Sequence, residues 1–103
     1  MLSTKKLLYK ILERYAFENI SFPAATISAG SVGTYATNVS VNIAKSGYVP
    51  IGIMTLQIVH PAAYVAVLAL SGANAVVAFY RANTTSYNVP AGDVTATVMY
   101  KKA

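Results

Sequence analysis

The C-terminal end of the chain carries the clearest alternation of apolar and polar positions. Val94, Ala96, Val98 and Tyr100 alternate with Asp93, Thr95, Thr97 and Met99, and the run ends at Lys101-Lys102. A period of two is that of a β-strand with one face in a core and the other in water. The same period recurs at Val39, Val41 and Ile43 against Asn38, Ser40 and Asn42, and in shorter form at Ile20, Phe22 and Ala24 around Ser21 and Pro23. The opening of the chain follows another rhythm. Leu7, Leu8, Ile11, Leu12 and Tyr15 recur at three- and four-residue spacing behind Ser3, a suitable N-cap, which predicts a short amphipathic helix over residues 1–17. Leu8, Ile11 and Tyr15 fit a seam of fewer than two heptads. That is too short to hold a coiled coil alone, so the helix packs on its own sheet or bundles with copies brought together by a larger assembly. A helix lying on a membrane surface is a third reading.

Residues 49–81 form the stretch around which the rest must organise. Neither an acid nor a lysine interrupts it, and His60 is its only titratable side chain before Arg81 other than tyrosines. Two readings compete. Residues 61–79 have the length and lack of charge of a transmembrane helix. Against this, Ser71-Gly72 sits between two runs rich in β-branched and aromatic residues, Val65 and Val67 before it, Val76, Val77, Phe79 and Tyr80 after it, which is the signature of a hairpin. Pro50 and Pro61 cut the segment into strand-sized pieces, and Ser71 and Asn74 would be costly against lipid. Strands are the preferred reading. They are apolar on both faces: Ile51, Ile53 and Thr55 against Gly52, Met54, Leu56 and Ile58, then Val65, Val67 and Ala69 against Tyr64, Ala66, Leu68 and Leu70. Such strands must be covered on both sides. A second sheet covers one face and a neighbouring subunit the other. The expected oligomer interface combines Leu8, Ile11 and Tyr15 of the helix with Met54, Leu56, Tyr64 and Leu68 of the strands, in a homotrimer by preference, with a dimer also open.

Turn chemistry at residues 29–33 and 45–47 and a polar loop at 82–92 punctuate the remainder, giving six or seven strands with short connections. The expected fold is all-β, a sandwich or jelly-roll-like domain over residues 18–103 preceded by the helix.

Composition strengthens the assembly argument. In 103 residues, 55% are hydrophobic and only 11% charged, where soluble domains carry about 25% charged residues. A domain of this size buries only about two-thirds of its chain surface, so the surplus is expected between chains. The net charge is +5, and six of the eight basic residues lie at the two ends, Lys5, Lys6, Lys10, Arg14, Lys101 and Lys102; no basic face with interleaved aromatics is present, so nucleic acid is not an expected partner. Lys10, Glu13 and Arg14 interrupt what would be the apolar region of a secretory signal, and none is expected.

Catalytic chemistry is poorly provided for. The acids are Glu13, Glu18 and Asp93, and no pair of them reads as the two carboxyls of a glycosidase. A serine triad would need His60 with Asp93, but the G-x-S-x-G elbow is missing. His60, at an expected strand corner before Pro61, reads as a structural histidine bonded to backbone. Without cysteine and with one histidine, a metal site is not expected; the glycines lack the lysine of a phosphate loop; no cofactor and no enzymatic activity are expected. Binding or building remains. Tyr80, Arg81, Asn83, Thr84, Ser86 and Tyr87 form the candidate ligand-binding cluster, because tyrosine rings supply contact area beside hydrogen-bonding groups. The competing reading places these tyrosines in a core or an interface.

Three stretches carry a resemblance: LSTKKLLYKILE (residues 2–13), SGYVPIGI (46–53) and VPAGDVTATVMYKK (89–102). They resemble small virion proteins of phages and prophages of gut Firmicutes, and the last is similar to the closing strands of tail-fibre and receptor-binding head domains. The resemblance implies a trimeric β-rich tip, assembled in the host cytoplasm and located in the virion, that presents loops to a host-surface glycan or to another virion protein. It brings no catalytic residue. A decorating or capping protein without a ligand is the alternative it leaves open.

Overall fold

The computed structural model describes residues 3–7 and 14–103. Eight strands follow one another: β1 (Tyr15–Ser21), β2 (Ala25–Ile27), β3 (Tyr35–Asn42), β4 (Tyr48–Ile58), β5 (Tyr64–Ser71), β6 (Asn74–Arg81), β7 (Tyr87–Val89) and β8 (Val94–Lys102). They pair antiparallel in three sheets, ordered β1-β8-β4, β2-β7 and β3-β6-β5. The fold is all-β, as the alternation predicts. First pairs with last, second with seventh and third with sixth, a nested winding of the jelly-roll kind. It departs from a complete jelly roll where β4 joins the far side of β8 and β5 closes a hairpin with β6.

The two central strands supply the core because they alternate most strictly. Val94, Ala96, Val98 and Tyr100 of β8 and Ala75, Val77 and Phe79 of β6 are buried, with Phe22, Ile27, Ile43, Tyr64 and Val89 completing one cluster. The Tyr100 hydroxyl donates to the Ile43 carbonyl at 2.7 Å, which satisfies the polar tip of an otherwise apolar position. Burial raises the Tyr100 pKa.

The stretch read as either helix or strands is strands. Residues 61–79 contain the β4–β5 corner, β5, a tight hairpin and most of β6. Among the described residues no helix is long and apolar enough to cross a membrane. Ser71 pairs with Asn74 around Gly72-Ala73, and only Gly72 of the two has positive φ, 58°. A type II′ turn, whose twist suits a hairpin, has this requirement at its first central residue. The turn pair is therefore shifted one residue from Ser71-Gly72.

Three further expectations change. The strand β1 begins at Tyr15, so the helix does not reach residue 17, and Tyr15 sits opposite Lys101 in a sheet. Residues 4–7 are helical and capped as expected, Ser3 Oγ accepting from the Lys6 N–H at 3.2 Å; Leu8 and Ile11 lie outside the described residues. The even alternation read along β4 is broken by two register shifts, between Pro50 and Gly52 and between Ile53 and Thr55. These bulges leave Ile51 and Met54 out of the pairing and exposed. Of the strand residues expected at an interface, Met54 and Leu56 are exposed, whereas Tyr64 is inside the chain's own core and Leu68 packs against it. The outward residues of β5 are Val65 and Val67, 51% and 52% exposed. Tyr64 turns inward because its hydroxyl has a buried partner, described below, and that fixes the parity of the whole strand.

Because Phe79 is fully buried between the sheets and stacks edge-on with Tyr64 at 5.2 Å, Phe79→Ala is expected to destabilise the fold by about 3–5 kcal/mol, read by urea denaturation.

Candidate functional site

The residues expected to cluster at 80–87 meet different neighbours. Arg81 closes β6 and directs its guanidinium at the loop between β2 and β3. Its Nε donates to the Ser28 carbonyl at 2.8 Å, Nη2 to Ser28 Oγ at 2.8 Å, and Nη1 to Thr34 Oγ1 at 2.9 Å and the Tyr35 carbonyl at 2.7 Å. Four of its five N–H groups are thus used within the chain. Gly30 is required here, since a Cβ on it would come within 2.5 Å of Arg81 Nε. Tyr80 points away from the core and meets Tyr35 edge-on at 5.9 Å. Tyr87 instead packs against Tyr64 at 5.9 Å and His60 at 6.3 Å. Asn83 and Thr84 build the turn, Asn83 Oδ1 accepting from the Thr85 N–H and hydroxyl and the Thr84 carbonyl from the Gly30 N–H; Ser86 is exposed beside them. The two tyrosines face different neighbours, and the arginine is a clamp.

His60 is bonded to a carboxylate, not to backbone through its side chain. Its Nδ1 lies 2.7 Å from Asp93 Oδ1, and the buried Tyr64 hydroxyl donates to Asp93 Oδ2. The Asp93 side chain is 3% exposed while that of His60 is 53% exposed. Burial acts to raise the Asp93 pKa, but the hydrogen bonds from Tyr64 and His60 outweigh it and hold the carboxyl below its ordinary value. The Tyr64 hydroxyl is pushed well above the usual phenol range by burial and by its bond to this anion. The arrangement holds the imidazole by its Nδ1 against a buried carboxylate. The described residues hold no group of three or more histidines or acids able to bind a metal.

A concave surface lies elsewhere, on the outer face of the β1-β8-β4 sheet. Register places Asn19 beside Thr97 and Thr97 beside Thr55, and in the next rung Ser21 beside Thr95 and Thr95 beside Gln57. The first rung is linked across three strands: Thr55 Oγ1 donates to Thr97 Oγ1 at 3.0 Å, and Thr97 Oγ1 to Asn19 Oδ1 at 2.9 Å. These six side chains, with Ile20 and Ala96, line a groove of about 490 Å³ that contains no charged group. That volume is within the range of small-molecule sites. The groove escapes sequence reading because its walls come from strands far apart in the chain; the alternation of β8 marks Thr95 and Thr97 as outward, but nothing local says what stands beside them. The nearby ion pair, Lys45 Nζ to Glu18 Oε1 at 2.7 Å, is on the surface, and its hydrogen bond with Glu18 raises the Lys45 pKa.

No family model, no curated protein and no solved structure matches this chain.

A carboxyl with a depressed folded-state pKa contributes stability above its unfolded value of about 3.9 and loses it as pH falls through the folded value. With only three acids in the chain, Asp93 should dominate this dependence. Urea denaturation is expected to show stability falling below about pH 4, with a flatter profile for Asp93→Asn. At neutral pH, Asp93→Ala leaves the buried Tyr64 hydroxyl without its acceptor and is expected to cost about 1–3 kcal/mol.

Proposed function

We propose that this chain is a homo-oligomeric β domain of a phage virion, of the tail-fibre head kind, which assembles through apolar outer strands and offers another face to a host-surface glycan. The observation that carries the reading is the outer face of the β3-β6-β5 sheet. Val65 and Val67 of β5 stand in register with Tyr80 and Ala78 of β6, and Ala69 with Val76. None of these side chains is charged, and the two valines are half exposed in the single chain. A contiguous apolar patch of this kind on a small soluble domain marks a contact surface. The excess of hydrophobic over charged residues gives the same answer from composition. A second copy of the chain is the occupant in this reading, because an uncharged face meets itself without like-charge repulsion.

The glycan role is supported by the neutral groove on the opposite sheet, lined by hydroxyl and amide groups. A purely structural virion protein with no ligand shares the assembly but leaves the groove without a role.

Light scattering coupled to size exclusion tests the assembly. The protein is expected as a discrete species of a few times 10.9 kDa, and Val67→Lys, which adds a charge to the outer face without touching the core, is expected to reduce the mass to one chain while the far-ultraviolet circular dichroism is unchanged. A wild-type protein that runs as a single chain contradicts the proposal.

A further inference from the structure

The groove on the β1-β8-β4 sheet has a directional chemistry that narrows its ligand. In the linked rung each hydroxyl hydrogen is committed: Thr55 gives its proton to Thr97, and Thr97 gives its own to Asn19 Oδ1. The rung therefore presents lone pairs on Thr55 Oγ1 at one end. At the other it presents the Asn19 Nδ2 amide, which makes no hydrogen bond among the described residues. An acceptor and a donor held apart across three strands match a group that is itself both donor and acceptor, as each hydroxyl of a sugar is. Ser21, Thr95 and Gln57 stand side by side in register two residues along the strands and add hydroxyl and amide groups to the same face.

The other neighbour along the same face is Phe17. It precedes Asn19 by two positions on β1, pairs with Met99, and is 50% exposed. Two residues along a strand span about 7 Å, roughly the width of one sugar ring. An exposed aromatic ring one ring-width from a row of neutral hydroxyl and amide groups provides an apolar platform for C–H faces beside partners for hydroxyls. Charge decides between sugars. The lining contains no lysine, arginine or acid, so nothing in it would recognise a sialic acid, a phosphate or a sulfate.

We infer that the outer face of the β1-β8-β4 sheet binds an uncharged sugar, its ring on Phe17 and its hydroxyls on Asn19, Thr55 and Thr97. This rests on the glycan-presenting role proposed above and names both the place and the class of ligand. The place is the sheet face, not residues 82–92, where the sequence suggests a loop and the structure includes β7.

The test uses the full chain in its native assembly, probed with an array of neutral hexose and N-acetylhexosamine oligosaccharides beside sialylated and phosphorylated ones. The best binder is then titrated calorimetrically. Thr97→Val keeps the shape and strand preference of the residue but breaks both bonds of the linked rung; Phe17→Ala removes the platform. Each is expected to weaken a neutral oligosaccharide at least about tenfold. Asn83→Ala in the β6–β7 turn is expected to leave binding unchanged, and salt to have little effect. Absence of binding to every neutral glycan overturns the inference. So does binding confined to charged glycans, or binding indifferent to both Thr97→Val and Phe17→Ala. Native mass, measured in parallel, separates the two claims. An oligomer that binds no neutral sugar defeats the groove and leaves assembly standing; a single chain whose sugar binding is lost in Thr97→Val defeats assembly and supports the groove.

Discussion

The carboxylate of Asp93 is the constraint on which the closure of the sandwich depends. It is the buried charged side chain among the described residues, and it sits where three parts of the chain meet. His60 reaches it from the β4–β5 corner and Tyr64 from the first position of β5, while the Asp93 carbonyl accepts the Val59 N–H at the end of β4. A buried charge is tolerable only when it is paired and hydrogen-bonded, and here both oxygens are occupied. Both sheets are held to one another at this end, and the direction of the Tyr64 side chain is set. The parity of β5 follows, and with it the identity of the residues that face outward.

That parity divides the surface into two kinds. On the β3-β6-β5 sheet, Val65 and Val67 are directed outward beside Tyr80 and Ala78 of β6. On the β1-β8-β4 sheet, the outward positions of β8 include Thr95 and Thr97, and the neighbouring strands add Asn19, Ser21, Thr55 and Gln57. The second bulge in β4 matters to this second face. Without the shift between Ile53 and Thr55, Thr55 and Gln57 could not share a side with Gly52, since they lie three and five positions along from it. One sandwich thus carries an apolar outer face suited to association and a neutral polar one suited to a ligand.

How much of this was legible in the sequence depended on distance along the chain. The alternation in β8 and β3 is a local signal, and it correctly marks the core residues from Val94 to Tyr100 and the outward Asn38, Ser40 and Asn42. The hairpin of β5 and β6 is equally local. The site was not. Arg81 read as a loop cation, but its partner Ser28 is 53 positions away. His60 and Asp93 are 33 apart, Thr55 and Thr97 are 42 apart, and Asn19 and Thr97 are 78 apart. Register between distant strands creates each of these, and period-two patterning carries no information about which strands become neighbours. Tyr87 illustrates the same limit: its composition suits an exposed loop, yet it packs on Tyr64 and His60.

The proposed division between a covered and an open face can be measured directly, because the chain contains no cysteine. Single cysteines introduced as Val67→Cys and Gln57→Cys would report each face by their rate of maleimide labelling in the native assembly. The account predicts that the thiol at position 57 reacts at close to the rate of an unfolded peptide, while the thiol at position 67 is protected in the assembly and becomes reactive when the assembly is dissociated. Equal, fast labelling at both positions would contradict it.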